Sequence, residues 1–162
     1  MRTVAIVPAA GRGERMGADK ALLDLAGTTP IERIAATCRA AGIDDVLVVR
    51  SIDASALPAG LGARTVIVAA GGEMADSLRA ANEALPEGTD AVLVLPVDHA
   101  LVLAETVLAL LALLQRPGCG IALPLFRERP GHPVAMTRTV FAEIERKGTT
   151  LRDLVRADRG RV

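Results

Sequence analysis

The residues able to do chemistry in this chain gather in four short stretches, of which the first is the richest. Gly11, Gly13 and Gly17 alternate with Arg12, Arg15 and Lys20 directly after the apolar run Val4-Ala5-Ile6-Val7. Glycines let the backbone approach a ligand closely and turn its N–H groups inward, which suits phosphate oxygens. Arginine adds a planar fork for phosphate, and lysine adds a mobile point charge. A strand running into such a loop reads as a triphosphate cradle, with Ala9, Ala10, Gly11, Arg12, Gly13, Arg15 and Lys20 as its candidate binding residues. Two better-known loops do not fit. A dinucleotide fingerprint wants a third glycine where Met16 stands and a helix straight after it, whereas no clear helix starts before Thr29. A P-loop wants Ser or Thr after its lysine, and Lys20 is followed by Ala21.

The other three stretches lie further along. In Gly71-Gly72-Glu73-Met74-Ala75-Asp76-Ser77-Leu78, a glycine pair between a strand and a helix can carry a base or ribose against the backbone. Ser77 would be its hydroxyl partner, although Asp76 or Ser77 would equally serve as a plain helix cap. In Val92-Leu93-Val94-Leu95-Pro96-Val97-Asp98-His99, a carboxylate stands just past a buried strand. Such an aspartate is well placed to hold Mg²⁺, which takes one or two carboxylates plus phosphate oxygens and water. An isolated aspartate there is otherwise a turn or cap residue. Arg129-Pro130-Gly131-His132-Pro133-Val134-Ala135-Met136 offers His132 for a phosphate or a metal-bound water, or as a structural histidine. His99 reads as a lining residue without a role.

Ala9-Ala10-Gly11, Arg15-Met16-Gly17 and Lys20, extended by Asp19-Lys20-Ala21-Leu22, Leu25-Ala26-Gly27 and Pro30, resemble the signature of MobA-like nucleotidyltransferases. That superfamily contains the molybdenum-cofactor cytidylyl- and guanylyltransferases, and the similarity runs from Val4 to about Val155. It implies a three-layer α/β/α, Rossmann-like (GT-A-like) fold with a mostly parallel sheet, and Mg²⁺ as cofactor. It also implies catalytic roles for Arg15, Lys20 and Asp98, with Asp98 as the metal ligand of the family's Pro-x-Asp. Asp76-Ser77-Leu78 is similar to a nucleotide-contacting pattern in relatives, adding Gly72, Asp76 and Ser77 to the nucleotide site. Gly131-His132-Pro133-Val134 resembles the cytidylyltransferase branch, where the segment lines the acceptor side and puts His132 there. Gly148-Thr149-Thr150-Leu151-Arg152-Asp153-Leu154 is similar to the short helix that follows.

The implied reaction transfers a nucleoside monophosphate from a nucleoside triphosphate to a small phosphorylated acceptor, releasing pyrophosphate. CTP and a molybdopterin-type acceptor are favoured, while the Asp19-Lys20-Ala21-Leu22 wording is closer to the guanylyltransferases and keeps GTP in play. Val7-Pro8-Ala9-Ala10-Gly11-x-Gly13 with Asp76-Ser77 also resembles the methylerythritol-phosphate cytidylyltransferases. Those want Pro-Lys-Gln at the lysine, from which Asp19-Lys20-Ala21 departs; sugar-phosphate nucleotidyltransferases are a further alternative. Relatives usually continue into another strand with an acidic segment, whereas this chain ends at Val162. A single domain over 1–162, short at its C-terminus, is therefore expected. A nucleotide-binding module without turnover is the competing reading of another class.

Composition narrows the classes. The chain has 162 residues, enough for one domain with a real core, and is 51% hydrophobic, which argues against disorder. Nineteen Lys+Arg balance nineteen Asp+Glu, and two Phe stand without Tyr or Trp, so neither a nucleic-acid footprint nor a base-stacking surface is expected. Arg127, Arg129, Arg138, Arg152 and Arg156 make the last third locally basic, suiting an anionic acceptor or a solvated face. Cys38 and Cys119 lack metal spacing and read as structural thiols of a reducing, cytoplasmic setting. No targeting segment is apparent, and Leu101 to Leu114 is nearly all apolar but too short to span a membrane and carries Glu105. Oligomeric state is not legible.

The positioning elements follow from periodicity. Strands are expected at Val4–Val7, Asp45–Val49, Arg64–Ala69, Ala91–Leu95 and Gly120–Leu123. Helices are expected from Pro30 to Gly42, from Met74 to Leu85, and over Leu101–Leu114, the last buried on most sides. Thr29-Pro30-Ile31-Glu32 carries a capping box with proline at the first helical position. The region from Ser51 to Gly62 reads as a surface connection. Alternating strands and helices predict a mostly parallel sheet covered on both faces, with ligands at the carboxyl ends of its strands.

Overall fold

The computed structural model describes residues 1–11, 19–146 and 148–157. Eight strands occur among them: β1 (Thr3–Pro8), β2 (Asp45–Ser51), β3 (Arg64–Val68), β4 (Ala91–Val94), β5 (Ile121–Ala122), β6 (Leu125–Phe126), β7 (Arg129–Pro130) and β8 (Val134–Thr137). Six build the central sheet in the order β3-β2-β1-β4-β8-β5, while β6 and β7 form a separate ribbon. Strand β1 pairs in parallel with β2 and β4, and β2 with β3. Strand β8 runs antiparallel to both β4 and β5.

Strands β1, β2 and β4 are largely apolar and covered on both faces, whereas the edge strand β3 is largely exposed, with Ile67 57% exposed. Ala5, Val7, Val46, Val48 and Leu93 face one core, and Val4, Ile6, Leu47, Val49, Val92 and Val94 face the other. Helices α1 (Pro30–Ala40) and α3 (Ala104–Leu114) close the first core with Ile31, Ile34, Cys38, Val107 and Leu110. Helices α2 (Met74–Glu83), α4 (Arg138–Phe141) and α5 (Leu151–Ala157) close the second with Leu78, Ala81, Phe141 and Leu154. Each buried Val, Leu, Ile or Phe among them contributes about 1.5–3 kcal/mol by leaving water. The expected three-layer architecture is the one observed.

Helix α1 starts as its sequence dictates. The Glu32 N–H donates to Thr29 Oγ1 at 3.3 Å, and the Thr29 N–H donates back to the Glu32 carboxylate at 2.8 Å. Gly42 lies just beyond the helix at φ +78°, a conformation glycine adopts without a Cβ penalty. Cys38 sits in the core, where burial pushes its thiol up to about 12, and this agrees with a structural role.

Helix α3 corrects an expectation. It begins at Ala104 rather than Leu101, and only one side is buried, through Val107, Leu110 and Leu114. Leu108 and Leu113 are 48% and 37% exposed on the other side. The reason is its place in an outer layer, where only the side facing the sheet and α1 meets protein. No helix among the described residues is long and apolar enough to cross a membrane.

The insertion of β8 positions the site. Val94 at the end of β4 is the register partner of Val134 at the start of β8. Antiparallel pairing therefore sets Asp98 and His99, just after β4, beside His132, just before β8.

Candidate functional site

Two neighbouring cavities share Glu73 and Met74 as a common wall. The smaller, about 180 Å³, lies where β1 and β4 end. Ala9, Ala10, Gly11, Lys20, Gly72, Ser77 and Asp98 line it, so three of the four sequence stretches converge there. Ala9 is fixed by its N–H, which donates to the Val49 carbonyl at 2.9 Å and continues the β1–β2 ladder. Arg12, Gly13 and Arg15 lie outside the described residues.

Lys20 opens a short 3₁₀ turn, Lys20–Leu22, capped by Asp19, whose Oδ1 accepts from the Ala21 N–H at 3.1 Å. Asp19 is gripped in turn by Arg50, which no motif singles out. Arg50 is near the end of β2 and only 2% exposed. Its Nη1 donates to Asp19 Oδ1 at 3.0 Å and to the Ala9 carbonyl at 3.4 Å, and its Nη2 to Asp19 Oδ2 and, at 2.7 Å, to the Ser55 carbonyl. The hydrogen bond from Arg50 holds the Asp19 carboxyl below the usual carboxylate range. The available signal was strand parity. Residue 50 falls on the same face as Val46 and Val48, so a buried arginine there requires a carboxylate partner.

Gly72 makes room for the start of α2. A Cβ there would stand 3.3 Å from Asp76 Oδ2, the atom that accepts from the Glu73 N–H at 2.9 Å. Asp76 thus caps the helix instead of lining the cavity, and its Oδ1 accepts from Arg79 at 2.9 Å. Both of its oxygens are engaged by α2 itself, which is the helix-cap role left open for it. Ser77, one position on, does line the cavity.

Asp98 projects from the turn Val97–His99 with 60% of its side chain exposed. Among the described residues it has no Lys or Arg partner; His99 Nε2 is 3.7 Å from its Oδ1. No group of three or more His, Cys, Asp or Glu able to hold a metal occurs among the described residues. An accessible lone carboxylate fits a divalent ion that draws its remaining ligands from phosphate and water.

The larger cavity, about 660 Å³, is lined by Gly131, His132, Thr150, Arg152 and Arg156 together with apolar Leu123, Val134, Leu151 and Val155. That volume falls in the range of small-molecule sites. The His132 ring packs 4.9 Å from that of His99 at a 49° tilt. Burial, reinforced by His99 and opposed by Asp98, pushes the His132 imidazole below its ordinary value.

Fold and cavities together describe an α/β protein with a cavity at the carboxyl edge of its mostly parallel sheet. The family model for the MobA-like NTP transferase domain matches residues 5–162, and the chain belongs to that family of nucleotidyltransferases. A 2-C-methyl-D-erythritol 4-phosphate cytidylyltransferase of Streptomyces avermitilis is 38% identical over 141 residues, covering 76% of this chain and 55% of the relative. The chain thus spans about half the length of that curated relative. Among solved structures, Rv0371c of Mycobacterium tuberculosis superposes with a TM-score of 0.79 at 29% identity, over 90% of this chain and 77% of the other. The 2-C-methyl-D-erythritol 4-phosphate cytidylyltransferase of Thermus thermophilus gives 0.72 at 26% identity, over 97% and 84%.

Proposed function

We propose that this chain transfers a cytidylyl group from CTP to the phosphate of a small acceptor and releases pyrophosphate. The observation that carries the reading is the pair of cavities on either side of Glu73 and Met74. One has the glycine-loop backbone, Lys20 and Asp98, as a triphosphate requires. The other has Arg152, Arg156 and His132, as a phosphorylated acceptor requires. CTP is supported by the Gly131-His132-Pro133-Val134 resemblance and by the names of the two cytidylyltransferase relatives. Asp19-Lys20-Ala21-Leu22 makes GTP the competing donor.

An oxygen of the acceptor phosphate attacks the α-phosphorus of the donor, a new P–O bond forms, and the α–β anhydride bond breaks in line. The attacking group is already anionic, so no side-chain nucleophile and no strong general base are needed. The backbone at Ala9-Ala10-Gly11 and the Lys20 ammonium, joined by Arg12, Gly13 and Arg15 of the same motif, hold the phosphate chain and offset its growing charge. Ser77 and Gly72 border the nucleoside end. Mg²⁺, held by Asp98, would supply further charge neutralisation across the phosphate oxygens.

For the acceptor, the motif resemblance favours a molybdopterin-type phosphate, while the curated relative's name favours methylerythritol phosphate as a second reading. Pyrophosphate release is to be measured with CTP, GTP, ATP and UTP against each acceptor, with and without Mg²⁺. Turnover of CTP with one acceptor, lost in Asp98→Ala and Lys20→Ala, is the expected result. Triphosphate binding without pyrophosphate release for any pair would replace this reading with a binding module that lacks turnover.

A further inference from the structure

We infer that Arg50 is a positioning residue, whose guanidinium sets where Lys20 stands in the cradle by acting through Asp19. The inference rests on the reading of the smaller cavity as the triphosphate seat. Three separate segments meet on this one side chain: the Ala9 carbonyl before the glycine-rich stretch, the Asp19 carboxylate after it, and the Ser55 carbonyl in the connection that follows β2. Four of its hydrogen bonds are thereby used, two of them on Asp19, and a planar fork making two bonds fixes angle as well as distance.

Asp19 passes the constraint on. The Oδ1 that accepts from Arg50 also accepts from the Ala21 N–H, so the carboxylate of the residue before Lys20 holds the peptide unit after it. A lysine is a point charge on a flexible stem, and its aim depends on how firmly its backbone is placed. Stability alone is a weak reason for this arrangement. A buried ion pair is often replaceable by apolar residues of similar volume without loss, and Arg50 sits in a strand whose other inward residues are valines. What an apolar residue could not do is tie Ala9 and Asp19, the flanks of the phosphate motif, to a common point.

The test is CTP binding by calorimetry to the full chain, comparing the parent with Lys20→Ala, Arg50→Met and the double variant, alongside thermal melts. Lys20→Ala is expected to weaken CTP about tenfold, and Arg50→Met to weaken it severalfold in the same direction. In the Lys20→Ala background, Arg50→Met should change affinity by less than about twofold, because the lysine through which it acts is gone. Equal weakening in both backgrounds would overturn the inference, as would a lowered melting temperature with unchanged CTP affinity. If Lys20→Ala itself leaves CTP binding intact, the triphosphate reading fails first, and this inference falls with it. Asp19→Asn provides a milder probe should Arg50→Met not fold. It keeps the size of the side chain and removes the charge that Arg50 grips, and the same dependence on Lys20 is expected. Additivity of Asp19→Asn with Lys20→Ala would again overturn the inference.

Discussion

The two cavities are made by different means. The smaller is walled mostly by small residues and prolines at the ends of parallel strands, with Lys20 and Asp98 as its charged side chains besides Asp19 and Glu73. The larger is walled by side chains from β8, from α5 and from the segment between β7 and β8, and is more than three times the volume. Main-chain donors persist through most side-chain substitutions, proline excepted, and suit a ligand common to many reactions, such as a triphosphate. Side chains can be exchanged one at a time and suit the ligand that differs from one reaction to the next. On the proposed function, the two cavities would separate what the chain shares with its family from what distinguishes it.

The sharpest way to break this contrast is at Asp98. Asp98→Ala is expected to lower pyrophosphate release by about 10²- to 10³-fold, the scale of losing one electrostatic contact to the reacting groups. Because this side chain is largely exposed, the melting temperature should barely move. A small loss of turnover would mean that the cradle does not depend on its carboxylate. The joint variant Arg152→Ala/Arg156→Ala addresses the other cavity. It should raise the acceptor KM about tenfold while CTP affinity stays within about twofold, and equal effects on both substrates would erase the division of labour.

Smaller effects sharpen the boundary between the cavities. Gly72→Ala crowds Asp76 Oδ2 and weakens its hold on the Glu73 N–H, which should cost about 1 kcal/mol, or roughly 3 °C in melting temperature. The smallest expected effect concerns acid. His132 has a depressed folded pKa, so between that value and the ordinary value near 6.5 the unfolded chain binds more protons than the folded one. Above that window the residue is neutral in both states and contributes no pH dependence. As pH falls through it, stability is lost, until both states are protonated. His132→Gln should therefore flatten the decline in melting temperature between about pH 7 and pH 5, and an unchanged decline would show that burial of this ring does not govern it.

What could be read from the sequence was whatever is encoded locally. Thr29, Pro30 and Glu32 specify the start of α1 within four consecutive residues, and the capping box is there. The apolar strands announced a sheet covered on both faces, and the glycine pair at 71 and 72 did precede a helix. Strand parity marks Arg50 as an arginine that needs a carboxylate, but its partner is not legible, because Asp19 lies thirty-one positions away and neither belongs to a pattern with the other. Helix α3 was misjudged for a related reason. Its composition is nearly all apolar apart from Glu105 and Thr106, but which side meets the sheet is decided by tertiary placement, which leaves Leu108 and Leu113 outside. At Asp76, the sequence offers both a helix cap and a nucleotide contact, and the cap is present, through the Glu73 N–H beside an ion pair with Arg79.

Met74 belongs to the wall of both cavities, at the first turn of α2. A methionine side chain is unbranched and adapts its shape to what lies against it. An occupant of one cavity that resets this side chain alters the shape offered to the occupant of the other. Thermodynamic linkage then requires reciprocity: whatever factor the donor imposes on the acceptor's dissociation constant, the acceptor imposes on the donor's. Met74→Ala would bring that factor towards one without removing a charged group from either side, leaving two substrates that bind as strangers.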